Sequence, residues 1–248
     1  MSEALLAEDV RITGHGGDEV QAYLARPLAP DAVGHGAVVV IHHMPGIDWA
    51  TKELTRRFAA NGYLAICPNL YFREAPGAAS DDAAATVRAA GGVPDERLVG
   101  DVAGAAAYLR ALPESNGKVG VIGHCSGGRH AFLAACHLDL DAAVDCYGAF
   151  VVGDPPPGHP VKISSLLPIA DRLSCPLLGL FGAEDKYPSP DQTAELEAAL
   201  TALGKPFEFH TYADAGHAFF AVDRPGYRVA AATDGWQRIF DFFGRNLS

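Results

Sequence analysis

Residues 123–128 read Gly-His-Cys-Ser-Gly-Gly and lie between a strand-like run at 118–123 and a helix-like run that includes 129–136. A cysteine framed by glycines at a strand-to-helix turn is placed to act as a nucleophile. Glycine at 123 and 127 lets the strand fold sharply back into the helix, where a Cβ would tend to clash. The helix aims its N-terminus at Cys125. Its dipole favours a thiolate, and its free backbone N–H groups can hold an oxyanion. The chemistry implied is acyl transfer through sulfur.

A thiol also needs a base within reach and a group that orients the base. His217 closes the stretch Tyr-Ala-Asp-Ala-Gly-His just after the last strand-like run, and Asp185 closes Phe-Gly-Ala-Glu-Asp after the run before it. The order along the chain is nucleophile, acid, histidine. In this reading Cys125 attacks, His217 shuttles protons and Asp185 fixes the imidazole tautomer. Glu184 and Asp214 compete for the acid. Asp214 is three residues before His217 on one loop and reads as a turn former, and Glu184 would point away from Asp185 on an extended strand end. Ser126 competes as nucleophile, but centring the turn on it puts His124 where glycine is required. Ser126 is therefore read as an oxyanion donor through its backbone N–H. The N–H of Met44, on the loop after the 37–42 run, is the second donor.

These residues need a scaffold that delivers them to one edge. Residues 8–26 alternate around Gly14-His15-Gly16-Gly17 and predict a hairpin. Strand patterns at 37–42, 63–67, 118–123, 141–147, 176–181 and 207–212 alternate with helical spacing at 51–61, 95–112, 190–203 and 227–246. That alternation predicts one α/β domain over residues 1–248, with a mostly parallel sheet covered on both faces. Ligands of such sheets bind beyond the carboxyl ends of the strands. Residues 148–174, rich in proline and glycine, follow a strand end and read either as a lid or rim or as a plain surface excursion.

With 248 residues, about half apolar (49%), the chain can bury one large core. A net charge of −11 gives no basic footprint for nucleic acid. The first residues lack a secretory pattern, and no apolar run reaches the ~20 residues of a membrane span. The five scattered cysteines suggest a reducing, cytoplasmic setting without disulfides. His42, His43 and Cys67 show no metal-ligand spacing. Tyr71, Phe72, Phe150, Phe219 and Phe220 read as pocket walls or as core.

The chain resembles dienelactone hydrolases, the cysteine branch of the α/β-hydrolase superfamily, over nearly its whole length. The likeness rests on His42-His43-Met44-Pro45-Gly46, Pro68-Asn69-Leu70-Tyr71-Phe72-Arg73, the Cys125 turn, Phe-Gly-Ala-Glu-Asp and Ala-Gly-His-Ala-Phe-Phe. The resemblance implies an α/β-hydrolase fold, hydrolysis of lactones or activated esters through an acyl-thiol, no cofactor or metal, and a monomer. Two positions depart from the family pattern. His43 stands where the family has a glutamate that helps to form the thiolate, so His43 is a candidate for activation or for a place beside the pocket. The family holds a substrate carboxylate with two arginines. One maps onto Arg73, and Arg224 stands three residues later than the second should. Arg73 is thus a candidate for substrate binding, or a surface salt bridge. A ligand-binding protein that keeps the fold without catalysis, and an acyltransferase or C–C hydrolase, are the competing functions.

Overall fold

The computed structural model describes residues 4–28 and 34–248; the start of the amino-terminal stretch, residues 1–3, lies outside the described residues. Eight strands form one sheet in the order β1-β2-β4-β3-β5-β6-β7-β8. Strands β1 (Leu5–Thr13) and β2 (Glu19–Pro27) form the expected hairpin. They pair antiparallel with each other, and β2 pairs antiparallel with β4 (Leu64–Pro68). All remaining pairs are parallel, among β4, β3 (His35–Ile41), β5 (Ser115–His124), β6 (Ala142–Cys146), β7 (Leu177–Gly182) and β8 (Phe207–Tyr212).

The unbroken apolar run of β3 shows why the sheet must be covered twice. Val39 and Ile41 face one core and Val38 and Val40 the other, as the period of two in a strand dictates. Helices α2 (Ser80–Ala89), α3 (Asp95–Arg110), α4 (Ser126–Ala135) and α5 (Pro190–Ala202) cover the first face through residues such as Val87, Val102, Phe132 and Leu196. Helices α1 (Trp49–Ala60) and α6 (Val229–Leu247) cover the second with Phe58, Ile239, Phe242 and Phe243. Helix α2, which buries Ala83, Ala84 and Val87, is absent from the helices that the sequence pattern predicts. Helix α1 begins at Trp49 rather than Thr51, because Asp48 caps it by accepting from the Thr51 N–H at 2.8 Å. No helix among the described residues is long and apolar enough to cross a membrane.

The segment 148–174 is tied down along its length. Leu166 N–H donates to Val151 O at 2.9 Å, Lys162 N–H to Gly91 O at 2.8 Å and Gln192 Nε2 to Val152 O at 2.8 Å. The buried Arg129 donates to Ser164 O at 3.0 Å and to Asp95. Val151, Val152, Leu166, Ala170 and Leu173 are buried in the α3–α4 core.

Candidate active site

Strand β5 ends at His124 and α4 begins at Ser126, so Cys125 alone makes the turn. Its backbone has φ 56° and ψ −124°, a conformation that costs a non-glycine residue roughly 1–3 kcal/mol and persists only where the surroundings impose it. Those surroundings are explicit. The Cys125 N–H donates to Cys146 O at 3.0 Å, and Cys125 O accepts from Gly128 at 2.9 Å. A Cβ on Gly123 would lie 2.0 Å from Gly127 O, and one on Gly127 would lie 2.5 Å from Ile41 O and 3.0 Å from His42 O. The first contact permits the reversal. The second brings the turn against the end of β3, where the Met44 loop begins.

Among the described residues the backbone N–H groups of Ser126 and Met44 have no partner. The Met44 loop is held rigidly. Tyr71 Oη donates to Met44 O at 2.9 Å, Gly46 N–H to His43 O at 2.9 Å, and Leu70 N–H to Nε2 of the buried His42 at 3.2 Å. His42 closes the arrangement by donating Nδ1–H to His43 O at 2.9 Å. Burial holds its pKa down at about 4, so it is a neutral fastening rather than a proton carrier. Among the described residues the buried Ser126 hydroxyl has no hydrogen-bond partner, so none of them is in place as a base for it.

Asp185 and His217 come from the ends of neighbouring strands, β7 and β8. A Cβ on Gly182 would lie 2.4 Å from Ala215 O, so the two loops touch. Asp185 is buried; its Oδ2 meets His217 Nδ1 at 2.8 Å and its Oδ1 accepts from the Tyr187 N–H at 2.9 Å. Glu184 and Asp214 are exposed and hold no contact with His217 among the described residues. Burial lowers the His217 pKa, but hydrogen bonds to Asp185 and Cys125 outweigh it and carry the group up to about 10. The Cys125 side chain is thus near enough to the imidazole that Asp185 holds to influence its titration. Tyr147, at φ 45°, sets its ring edge-on to His217 with centroids 5.1 Å apart.

His43 lies at the mouth of this arrangement. Its Nε2 is 2.7 Å from Asp48 Oδ2, on the carboxylate whose other oxygen caps α1. Partial burial raises the Asp48 pKa, yet the bonds from His43 and Thr51 prevail and hold it down at about 2. Arg73 is placed differently from the substrate-binding expectation. Its Nη1 and Nη2 reach Asp101 at 2.7 and 3.0 Å, and its Nε reaches Asp18 at 2.7 Å. It joins the hairpin to α3, because the fully buried Asp101 requires a counter-charge. Arg224 is exposed and pairs with Asp223 at 3.6 Å.

A cavity of about 170 Å³ adjoins the turn on the α1–α6 side, walled by His43, His124, Tyr147, Phe220 and Trp236 among others. Of the five aromatics singled out from sequence, Phe220 lines it, Phe219 is buried core, and Phe150 packs on Tyr187. The sequence did not single out Asp48, which holds His43, or Tyr147 and Arg57, which line the cavity. Only the position of Asp48, three residues before the helical spacing at 51–61, carried a signal.

The family model described as the dienelactone hydrolase family matches residues 20–247. The chain belongs to the dienelactone hydrolase family. A carboxymethylenebutenolidase of Pseudomonas putida is 31% identical over 245 residues, covering 96% of this chain and 96% of that protein. A Salmonella typhimurium protein provisionally named carboxymethylenebutenolidase is 37% identical over 234 residues, covering 92% of this chain and 84% of the relative. A solved structure from Klebsiella pneumoniae, provisionally named a dienelactone hydrolase, superposes with a TM-score of 0.86 at 31% identity and covers 98% of this chain and 99% of its own. The sheet order and the two helical layers are accordingly those of an α/β-hydrolase fold. In this member of the dienelactone hydrolase family, the first loop carries a histidine held by Asp48 and the Arg73 position serves the scaffold.

Proposed function

We propose that the protein hydrolyses carboxylic esters or lactones through an acyl-thiol on Cys125. The observation that supports this reading is the His217–Asp185 contact at 2.8 Å, with Cys125 at the neighbouring strand-to-helix turn near enough to influence the titration of that imidazole. With the proton already on His217, the Cys125 sulfur attacks the carbonyl carbon as the thiolate and forms a C–S bond. The negative oxygen rests on the N–H groups of Ser126 and Met44. Each such donor is worth about 10²–10³ in rate in other acyl-transfer enzymes. The C–O bond then breaks and His217 protonates the leaving alkoxide, which in a lactone stays on the same molecule. Water next attacks the thioester while His217 takes its proton. The second collapse breaks the C–S bond, releases the carboxylic acid and leaves the sulfur as the thiolate beside the protonated His217. Asp185 keeps Nδ1 protonated throughout, so the other nitrogen, Nε2, does the transfer.

His43 is read as a second fixed imidazole serving the thiol or the substrate. With Nε2 bonded to the Asp48 carboxylate, its Nδ1 is the nitrogen left to accept a proton.

The test is Cys125→Ala on a small activated ester. Turnover is expected to vanish while the far-UV spectrum and melting temperature are retained, and undiminished turnover would overturn the reading. A non-catalytic binding protein would instead bind esters and lactones and release no product from either form.

A further inference from the structure

The cavity between α1 and α6 contains a cation that the proposed chemistry does not use. Arg57, on α1, lines it, and its guanidinium stands over the Trp236 ring at 4.6 Å from the centroid. Among the described residues that guanidinium makes no ion pair and donates no hydrogen bond. The two acids on the same wall are already served: Glu53 pairs with Arg56 at 2.7 Å, and Asp223 with Arg224 at 3.6 Å. The unsatisfied charge in the cavity is therefore positive. Its field reaches the site, because Arg57 contributes, after burial and His43, to holding His124 neutral, and His124 is the residue before Cys125.

The walls around Arg57 select shape. Trp49, Tyr147, Phe220, Tyr227 and Trp236 converge on a space of about 170 Å³, and an apolar cavity of roughly 150 Å³ suffices for a benzene ring. Trp49 and Val222, which both line the cavity, are each 59% exposed, a high exposure for large apolar groups. A flat ring would lie among the aromatic faces. The planar fork of Arg57 would meet a carboxylate on that ring with two parallel N–H···O bonds.

We propose that this cavity is a subsite for an aromatic ring bearing a carboxylate, with Arg57 as its anion anchor. This deepens the hydrolase reading by naming the substrate class: esters in which an aryl carboxylate forms the part of the molecule away from the reacting carbonyl.

The chain has two tryptophans, Trp49 and Trp236, and both line the cavity, so intrinsic fluorescence reports its occupancy. Benzoate is expected to change that fluorescence saturably in wild type and in Cys125→Ala, with benzyl alcohol and acetate each binding about tenfold or more weakly. Arg57→Gln should weaken benzoate by about tenfold or more, and Arg57→Lys, which keeps a cation over Trp236, by less. In turnover, the kcat/KM ratio of 4-carboxyphenyl acetate to phenyl acetate should fall towards one in Arg57→Gln. No saturable change with benzoate, equal binding of benzyl alcohol, or an unaltered Arg57→Gln would overturn the subsite. Benzoate binding through Arg57 in a protein that cleaves no ester would instead leave the subsite standing and overturn the hydrolase reading.

Discussion

Asp48 uses its two oxygens for two tasks: one caps helix α1 through the Thr51 N–H at 2.8 Å, and the other holds His43 at 2.7 Å. A helix end thereby fixes the direction of an imidazole one residue before the proposed oxyanion donor Met44. The arrangement repeats the carboxylate–imidazole logic of Asp185 and His217 on the opposite side of the nucleophile turn.

That double duty separates stability from activity. In Asp48→Asn the amide oxygen still caps α1, since asparagine and aspartate are comparable caps. His43 loses its charged partner and with it a fixed tautomer. The melting temperature should move little while kcat falls about tenfold or more, in keeping with loss of an oriented acid–base group. Steady-state kinetics beside a thermal melt checks this, and equal kcat in the two proteins would leave His43 with a packing role.

Cys125 should be the first cysteine alkylated by iodoacetamide. The other four are buried, and burial pushes the thiols of Cys136 and Cys175 up to about 12 and those of Cys67 and Cys146 up as well. Thiolate, not thiol, reacts. Peptide mass spectrometry at substoichiometric reagent should find the label on residue 125; faster modification elsewhere would contradict its assignment as the reactive thiol.

Gly127→Ala should disable the turn without abolishing the fold. The added Cβ would lie 2.5 Å from the Ile41 carbonyl, a backbone atom that cannot swing away. Overpacking of this kind typically costs about 1–3 kcal/mol. The larger effect is expected on ester turnover, because relief of the clash moves the Ser126 N–H away from the Met44 loop. Denaturant titration and kcat, measured together, test the pair of effects.

The His217 titration makes a stability prediction with a defined sign. Its folded pKa, about 10, lies above the unfolded value near 6.5. The stabilisation from holding its proton is complete below pH ~6.5 and is lost as pH rises through about 10. The stability difference between wild type and His217→Gln should therefore shrink from about pH 6 to about pH 10.5. A difference that stayed constant or widened over that range would exclude a proton held by Asp185 and Cys125.

Arg73→Gln should damage stability rather than substrate recognition. Removing one partner of a buried ion pair typically costs about 3–5 kcal/mol, and here it strands the fully buried Asp101. KM for anionic and neutral esters should shift alike. A selective rise for the anionic ester would restore Arg73 to substrate binding.

The amino-acid sequence by itself determined the parts of this protein that depend on local rules. The glycines at 123 and 127 and the alternation of strand and helix periods specify a sharp strand-to-helix turn at Cys125 on a mostly parallel sheet, and the order Cys125, Asp185, His217 places the proposed catalytic groups along the chain. Backbone sterics and side-chain periodicity act over a few residues and are visible in a linear string. What only the tertiary structure decided depends on which distant groups meet. Arg73 follows a substrate-binding pattern, yet Asp101 and Asp18 arrive from α3 and the hairpin and engage it. His43 acquires its partner through a helix cap, and among the described residues Arg57 is left unpaired, since Glu53 and Asp223 each meet another arginine. Charge pairing is set by three-dimensional proximity, and chain order carries no record of it. A candidate nucleophile could thus be named from sequence, whereas the charge pairing around it became assignable only once the chain was folded.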